Sequence, residues 1–183
     1  MNPSQHPPVE EEAAAPSGDA APATAASGPS RRAGRRDKPE RGTRTGFSTG
    51  ACSAAAARAC ALGLVHGQVP ESVESLLANG QRVSFAIHDG RIEGEGLARV
   101  AHGYVQKFAG DDPDCTDGAH LTVDLRILPG QAGQVQFRAG PGVGTVTLPG
   151  LGLEIGGPAI NPVPRANITQ NLQEVAGPLL AEH

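Results

Sequence analysis

The chain has 183 residues, 38% of them hydrophobic and only 3% aromatic, and a formal charge of −4. One domain is the default at this length, and its core has to be built from Ala, Val, Leu and Ile, which brings backbones close together. Acids and bases are evenly mixed, six against five in residues 1–40 and thirteen against ten in residues 41–183. With no basic stripe and few rings for bases to stack on, this argues against a nucleic-acid partner.

Residues 1–40 are rich in Ala, Pro, Ser and Glu and turn basic at Arg31, Arg32, Arg35, Arg36 and Lys38. Almost no large apolar side chain is available to offset the ordering entropy, so this stretch reads as a disordered, solvated tail. It lacks the basic-then-apolar order of a signal peptide, and no apolar run in the chain is long enough to span a bilayer. Cys52, Cys60 and Cys115 include no CxxC pair, and eight helical residues would separate the first two by roughly 12 Å. They read as small core residues, and a cytoplasmic protein with no membrane partner is expected.

The folded part, residues 41–183, opens with Arg44-Thr45-Gly46-Phe47-Ser48-Thr49-Gly50 and an Ala-dominated run to Leu62 that stops around Gly63 to Gly67. This predicts a helix of about four turns. Ser48 and Thr49 are N-cap candidates, and Gly46 and Gly50 leave the first turn uncrowded. Free amides, two hydroxyls, the helix dipole and Arg44 can therefore converge on an anion, although the same residues also suit an ordinary capped helix whose Ala face lies on a sheet.

Short, partly alternating runs follow at 73–78, 82–88, 92–101, 120–128 and 135–139, separated by Asn79-Gly80, Asp89-Gly90 and Pro129-Gly130. They predict a largely antiparallel sheet carrying a helix, with Asp89-Gly90 the clearest hairpin turn. Asp111, Asp112, Asp114 and Asp117 place four carboxylates inside seven residues, which repel one another unless a cation or local donors compensate. Pro113 and the lack of a distal Glu depart from the calcium-loop pattern, so a turn in which Asp side chains cap nearby amides competes with a metal site, and no metal is assigned. The six histidines show no ligand spacing and read as surface or core residues. From Gly140 to Arg165, glycine and proline alternate with Val, Leu and Ile. A turn and an edge strand are expected over 140–150, then a rigid connector through Arg165 into a helix over about 166–176 that Gly177-Pro178 ends.

Three strings, RTGFSTGACSAAAARA (44–59), AGDDPDCTDGA (109–119) and GVGTVTLPGLGLEIGGPAINPVPR (142–165), resemble in order and spacing the cobalt-precorrin-5B C(1)-methyltransferase family of anaerobic cobalamin biosynthesis. The resemblance covers residues 44 to about 176. It implies an α+β first domain similar to a circularly permuted version of the second domain of ribosomal protein S5. It also implies methyl transfer from S-adenosylmethionine to C-1 of a cobalt tetrapyrrole, giving cobalt-precorrin-6A, with cobalt present only as part of the substrate.

The substrate's acetate and propionate fringe makes Arg44, Thr45, Ser48, Thr49, Gly50, Thr116, Asn161 and Arg165 the substrate-binding candidates, and Asp111, Asp112 and Asp114 the candidates for managing charge or a proton. Phe108, Asp117 and Gly157 depart from the family's pattern and inherit no role. Family members run well beyond this length into a second α/β domain, so a truncated or split enzyme partnered by a separate C-terminal half is expected. The alternative is a non-catalytic corrinoid-binding or degenerate module. In either case the Gly/Pro stretch forms one wall of an interdomain cleft.

Overall fold

In the computed structural model, residues 44–182 are described, apart from 112, 132 and 151 and the side chains of 178–182. The expected tail over residues 1–40 lies outside the described residues. The first element is the Ala-rich helix α1, Thr49–His66. Ser48 is its N-cap, extended at φ −72° and ψ 157°, with its hydroxyl accepting from the Ala51 amide. Gly67 ends it in the left-handed region at φ 83°, donating to the Gly63 carbonyl.

Five strands come next: β1 (Ser72–Leu76), β2 (Arg82–Ala86), β3 (His88–Glu93), β4 (Val100–Gln106) and β5 (His120–Arg126). The last element is α2, Pro162–Glu182. All strand pairings are antiparallel, which fits the α+β class expected from sequence. The strands nevertheless form two small sheets, β1-β2 and β3-β4-β5, and not one.

Helix α1 is buried on nearly every side because its side chains are little more than methyl groups. Cys52, Ala55, Ala56, Ala59 and Cys60 share a core with Val73, Phe85, Ile87, Ala101 and Val105 from the strands. Ala57 and Ala61 meet Leu172 and Ala176 of α2 in a second cluster. Only small residues let a helix touch a sheet and another helix at such close range. Burial pushes the Cys60 thiol up to about 12, with Asp124 adding to the effect. It also raises Cys52; both are core residues as expected, whereas Cys115, expected in the core too, is exposed. The outer face of the three-stranded sheet carries a ring stack of His88, Tyr104 and His120 (centroids 5.2 and 4.1 Å apart). Beside it, His102 lies 2.6 Å from Asp124.

Several local expectations are corrected. Asp89-Gly90 does not reverse the chain: Asp89 has the positive φ its type tolerates (51°), but it serves a bulge between His88 and Arg91 within β3. The hairpin lies instead at Asn79-Gly80, where β1 and β2 pair from Ser72↔Ala86 to Leu76↔Arg82. The run 92–101 is broken by a 3-10 turn at Gly96–Ala98, and among the described residues 135–139 forms no strand. Residues 144–159 fold back on themselves through Val146 N to Gly157 O (2.9 Å) and Ala159 N to Gly144 O (2.8 Å), with a single Thr145↔Pro158 bridge, so they do not add an edge strand.

Helix α2 begins at Pro162 because prolines in a first turn have helical φ and lack amides that would be orphaned there. It also runs through Gly177-Pro178, which removes one amide without reversing the backbone.

Two polar features fix α2 on the rest. Asn171, fully buried, accepts from Ser75 Oγ (3.0 Å) and Leu76 N (3.1 Å) and donates to the carbonyls of Leu76 and Asn167 (both 2.9 Å). Asn167 also donates to the Leu76 carbonyl at 2.8 Å. Two helix side chains thus replace a neighbouring strand at the end of β1. Glu174 accepts from Arg58 of α1 (2.7 Å) and Arg82 of β2 (3.0 Å). Burial works to raise its pKa, but hydrogen bonds from Arg82 and then Arg58, together with their charges, outweigh burial and hold it below the usual range.

Replacing Asn171 with Leu leaves a buried amide and hydroxyl without acceptors, and a loss of about 2–4 kcal/mol with unchanged m-value is expected in urea unfolding. The Glu174 contribution is present above the ordinary carboxyl pKa of about 4.3 and disappears as pH falls through the lower folded value. The stability gap between the native chain and Glu174→Gln should therefore stay level from pH 7 to about 5 and close below that, as measured by denaturant unfolding across pH.

Candidate functional site

The candidate site is organised where two backbone segments cross. Residues 44–47 run antiparallel to residues 108–111, bonded by Phe47 N to Phe108 O (2.8 Å) and Asp111 N to Arg44 O (3.1 Å), with a Thr45↔Gly110 bridge. Glycine permits this approach from both sides. A Cβ on Gly46 would lie 2.0 Å from the Ala109 carbonyl carbon, and one on Gly110, already at φ 76°, would lie 2.3 Å from the Arg44 oxygen.

The crossing sets Arg44 against Asp111. The Asp111 carboxylate accepts from both the Arg44 amide and Arg44 Nε, each at 2.9 Å. The Arg44 side chain remains 70% exposed, with its guanidinium 5.6 Å from the Phe108 ring centroid.

From Phe47 the chain turns directly into α1. Ala51 N bonds to Ser48 Oγ (3.1 Å) and Cys52 N to Ser48 O (3.1 Å), so the amides of Thr49 and Gly50 come before the first helical bond. A Cβ on Gly50 would meet the Pro164 ring at 3.1 Å, which draws the first turn of α2 alongside. Between these parts lies a cleft lined by Thr45, Phe47, Ser48, Gly50, Val83, Val163 and the β1–β2 turn at Leu77–Asn79.

In the acidic loop, the described carboxylates are each engaged. Asp114 accepts from Lys107 Nζ (2.6 Å), Thr116 N (2.7 Å) and Thr116 Oγ1 (2.6 Å). The Lys107 and then the Thr116 bonds hold its carboxyl well below the usual range. Asp117 accepts from Ala109 N at 2.8 Å. Asp112 lies outside the described residues. Among the described residues, no group of three or more His, Cys, Asp or Glu side chains could hold a metal ion.

Of the residues singled out from sequence, Arg44, Thr45, Ser48 and Gly50 gather with Asp111 at the crossing and cleft, and the exposed Thr49 opens the helix beside them. Asp114 and Thr116 belong to the same loop but are turned on each other. Asn161 precedes α2 and its carbonyl takes the Arg165 amide at 3.2 Å. The Arg165 side chain is turned inward, donating to the carbonyls of Ile160 (2.8 Å) and Pro158 (2.9 Å) and covering the Phe137 ring at 5.3 Å. It braces the connector and does not face the cleft. Sequence reasoning missed Lys107 and the β1–β2 turn. The first was legible as the inward position of an alternation through Ala101, Gly103 and Val105, but the second carries no chemical signature.

A protein-family model described as CbiD matches residues 36–179. The chain is 61% identical over 152 residues to the cobalt-precorrin-5B C(1)-methyltransferase of a Polaromonas species, covering 81% of this chain and 40% of that one. It is 63% identical over 142 residues to the protein of the same name from Polaromonas naphthalenivorans (78% and 38% covered). Against the one from Methylococcus capsulatus it is 61% identical over 144 residues (79% and 37% covered). It thus spans about two fifths of the length of these curated relatives. No solved structure matches. All three sequence strings, including the two that meet at the crossing, fall within the matched residues, and the chain belongs to the CbiD family.

Proposed function

We propose that this chain supplies the acceptor-binding part of an S-adenosylmethionine-dependent methyltransferase that acts on C-1 of cobalt-precorrin-5B, giving cobalt-precorrin-6A in anaerobic cobalamin biosynthesis. The further length that its relatives possess would complete the enzyme, either as a continuation or as a separate C-terminal half. The observation that carries this reading is the meeting of RTGFSTG with AGDDPD: two strings of the matched region, more than sixty residues apart, join to direct donors at one spot.

The donor set suits the substrate's rim. A guanidinium with its Nε held by Asp111, first-turn amides and the positive end of α1 are groups that take carboxylates, and the tetrapyrrole is fringed with them. The same set does not suit a sulfonium, whose charge would favour carboxylates, and those described here are engaged elsewhere. Methyl transfer is an in-line displacement in which S-adenosylmethionine supplies the methyl group, so this part of the protein contributes alignment of the acceptor and exclusion of water. Asp114, held ionised by Lys107, makes a poor proton acceptor. Asp111 orients Arg44, which leaves Asp112 as the loop carboxylate to test for proton handling.

The engagement of Asp111, Asp114 and Asp117 equally favours a second reading, a corrinoid-binding module without turnover. Calorimetric titration separates the two. Heat with both a cobalt corrinoid bearing free carboxylates and S-adenosylmethionine supports the enzyme, whereas heat with the corrinoid alone supports the module. In either case Arg44→Ala is expected to weaken corrinoid binding about tenfold or more and to flatten its dependence on salt. Unchanged affinity would remove Arg44 from the site.

A further inference from the structure

Lys107 follows β4 and continues its buried face. Ala101 and Val105 point into the core against α1, and the alternation carries the next inward position to Lys107, whose side chain is 2% exposed. An apolar side chain would normally stand there. Its ammonium meets the Asp114 carboxylate at 2.6 Å, and its charge reaches Cys52 in the first turn of α1. A buried cation loses its hydration, so this is an expensive way to fill a core position.

The position sets the course of the acidic loop. The Lys107 backbone closes the neck of the loop, donating to the Ala119 carbonyl and accepting from the Gly118 amide, both at 2.8 Å. Its side chain holds the middle through Asp114, whose other oxygen takes the Thr116 amide and hydroxyl. The first half of the loop, braced at Ala109 by Asp117, carries Asp111 to Arg44.

We infer that Lys107 is the positioning residue of the site: its buried ammonium fixes Asp114 and thereby, with the main-chain crossing, holds Asp111 against Arg44. This rests on the reading of Arg44 as a carboxylate-binding group, and it makes the Lys107–Asp114 pair a device for placing donors and not for stability. The exposed Asp114 end of the pair lets the loop answer to its loss, while the neck stays closed through main-chain bonds.

The test uses the full 183-residue chain and the double variant Lys107→Met/Asp114→Asn. Removing both partners leaves no orphaned charge, so the thermal midpoint should stay close to that of the native chain. Amide exchange at Asp111 and the dissociation constant for a carboxylate-bearing cobalt corrinoid are each expected to rise about tenfold. A folded double variant with native exchange at Asp111 would overturn the inference. Lys107→Met alone, which leaves Asp114 to solvent, gives the same reading should the double variant not fold. If the native chain binds no corrinoid, the functional reading falls, while exchange at Asp111 still decides the role of Lys107.

Discussion

The approach of two glycine-containing segments to van der Waals limits underlies the whole candidate site. Gly46 lies against the Ala109 carbonyl and Gly110 against that of Arg44, at distances no side chain could share. From that crossing follows the entry angle into α1, and with the Lys107–Asp114 anchor of the acidic loop it brings Asp111 to Arg44. Neither segment belongs to a named strand. Two short segments, held by a bridge and two main-chain hydrogen bonds, do what a regular sheet does elsewhere.

The crossing needs a rigid base, and α1 supplies it. An alanine helix has no bulk of its own to bury, so its stability comes from how closely other elements approach. The strands cover one side and α2 the other. Because such contacts are shallow, orientation is fixed by polar groups instead. Asn171 and Asn167 stand in for a strand at the end of β1, and Glu174 ties the two helices to β2. Placing Pro164 beside Gly50 is the result that matters for the site.

Much of this was legible in the sequence, and the failures have physical causes. Helix α1 and its Ser48 cap follow from local propensity and side-chain chemistry, which need no partner to be read. Asp89-Gly90 favours the positive φ that Asp89 adopts, but such a φ serves a bulge as well as a turn and only the pairing partner decides. The Pro-Val-Pro start of α2 has the same ambiguity, because proline fits both an extended connector and a first helical turn. The carboxylates of the acidic loop were recognised as needing compensation, but their partners, Arg44 and Lys107, are set by the fold. Arg165, chosen for its chemistry, is committed to the carbonyls of its own connector. No local pattern announces that.

Within the residues that the CbiD family model matches lies a cleft whose polar wall is the crossing and whose floor is the start of α1. The most direct measurement is amide hydrogen exchange on Gly46→Ala. Its added methyl cannot be accommodated against Ala109, so the Phe47 and Asp111 amides should lose their protection. The interior of α1 from Ala54 to Ala61 should exchange as before. Protection retained at both Phe47 and Asp111 in a folded Gly46→Ala chain would contradict the crossing as the foundation of the site.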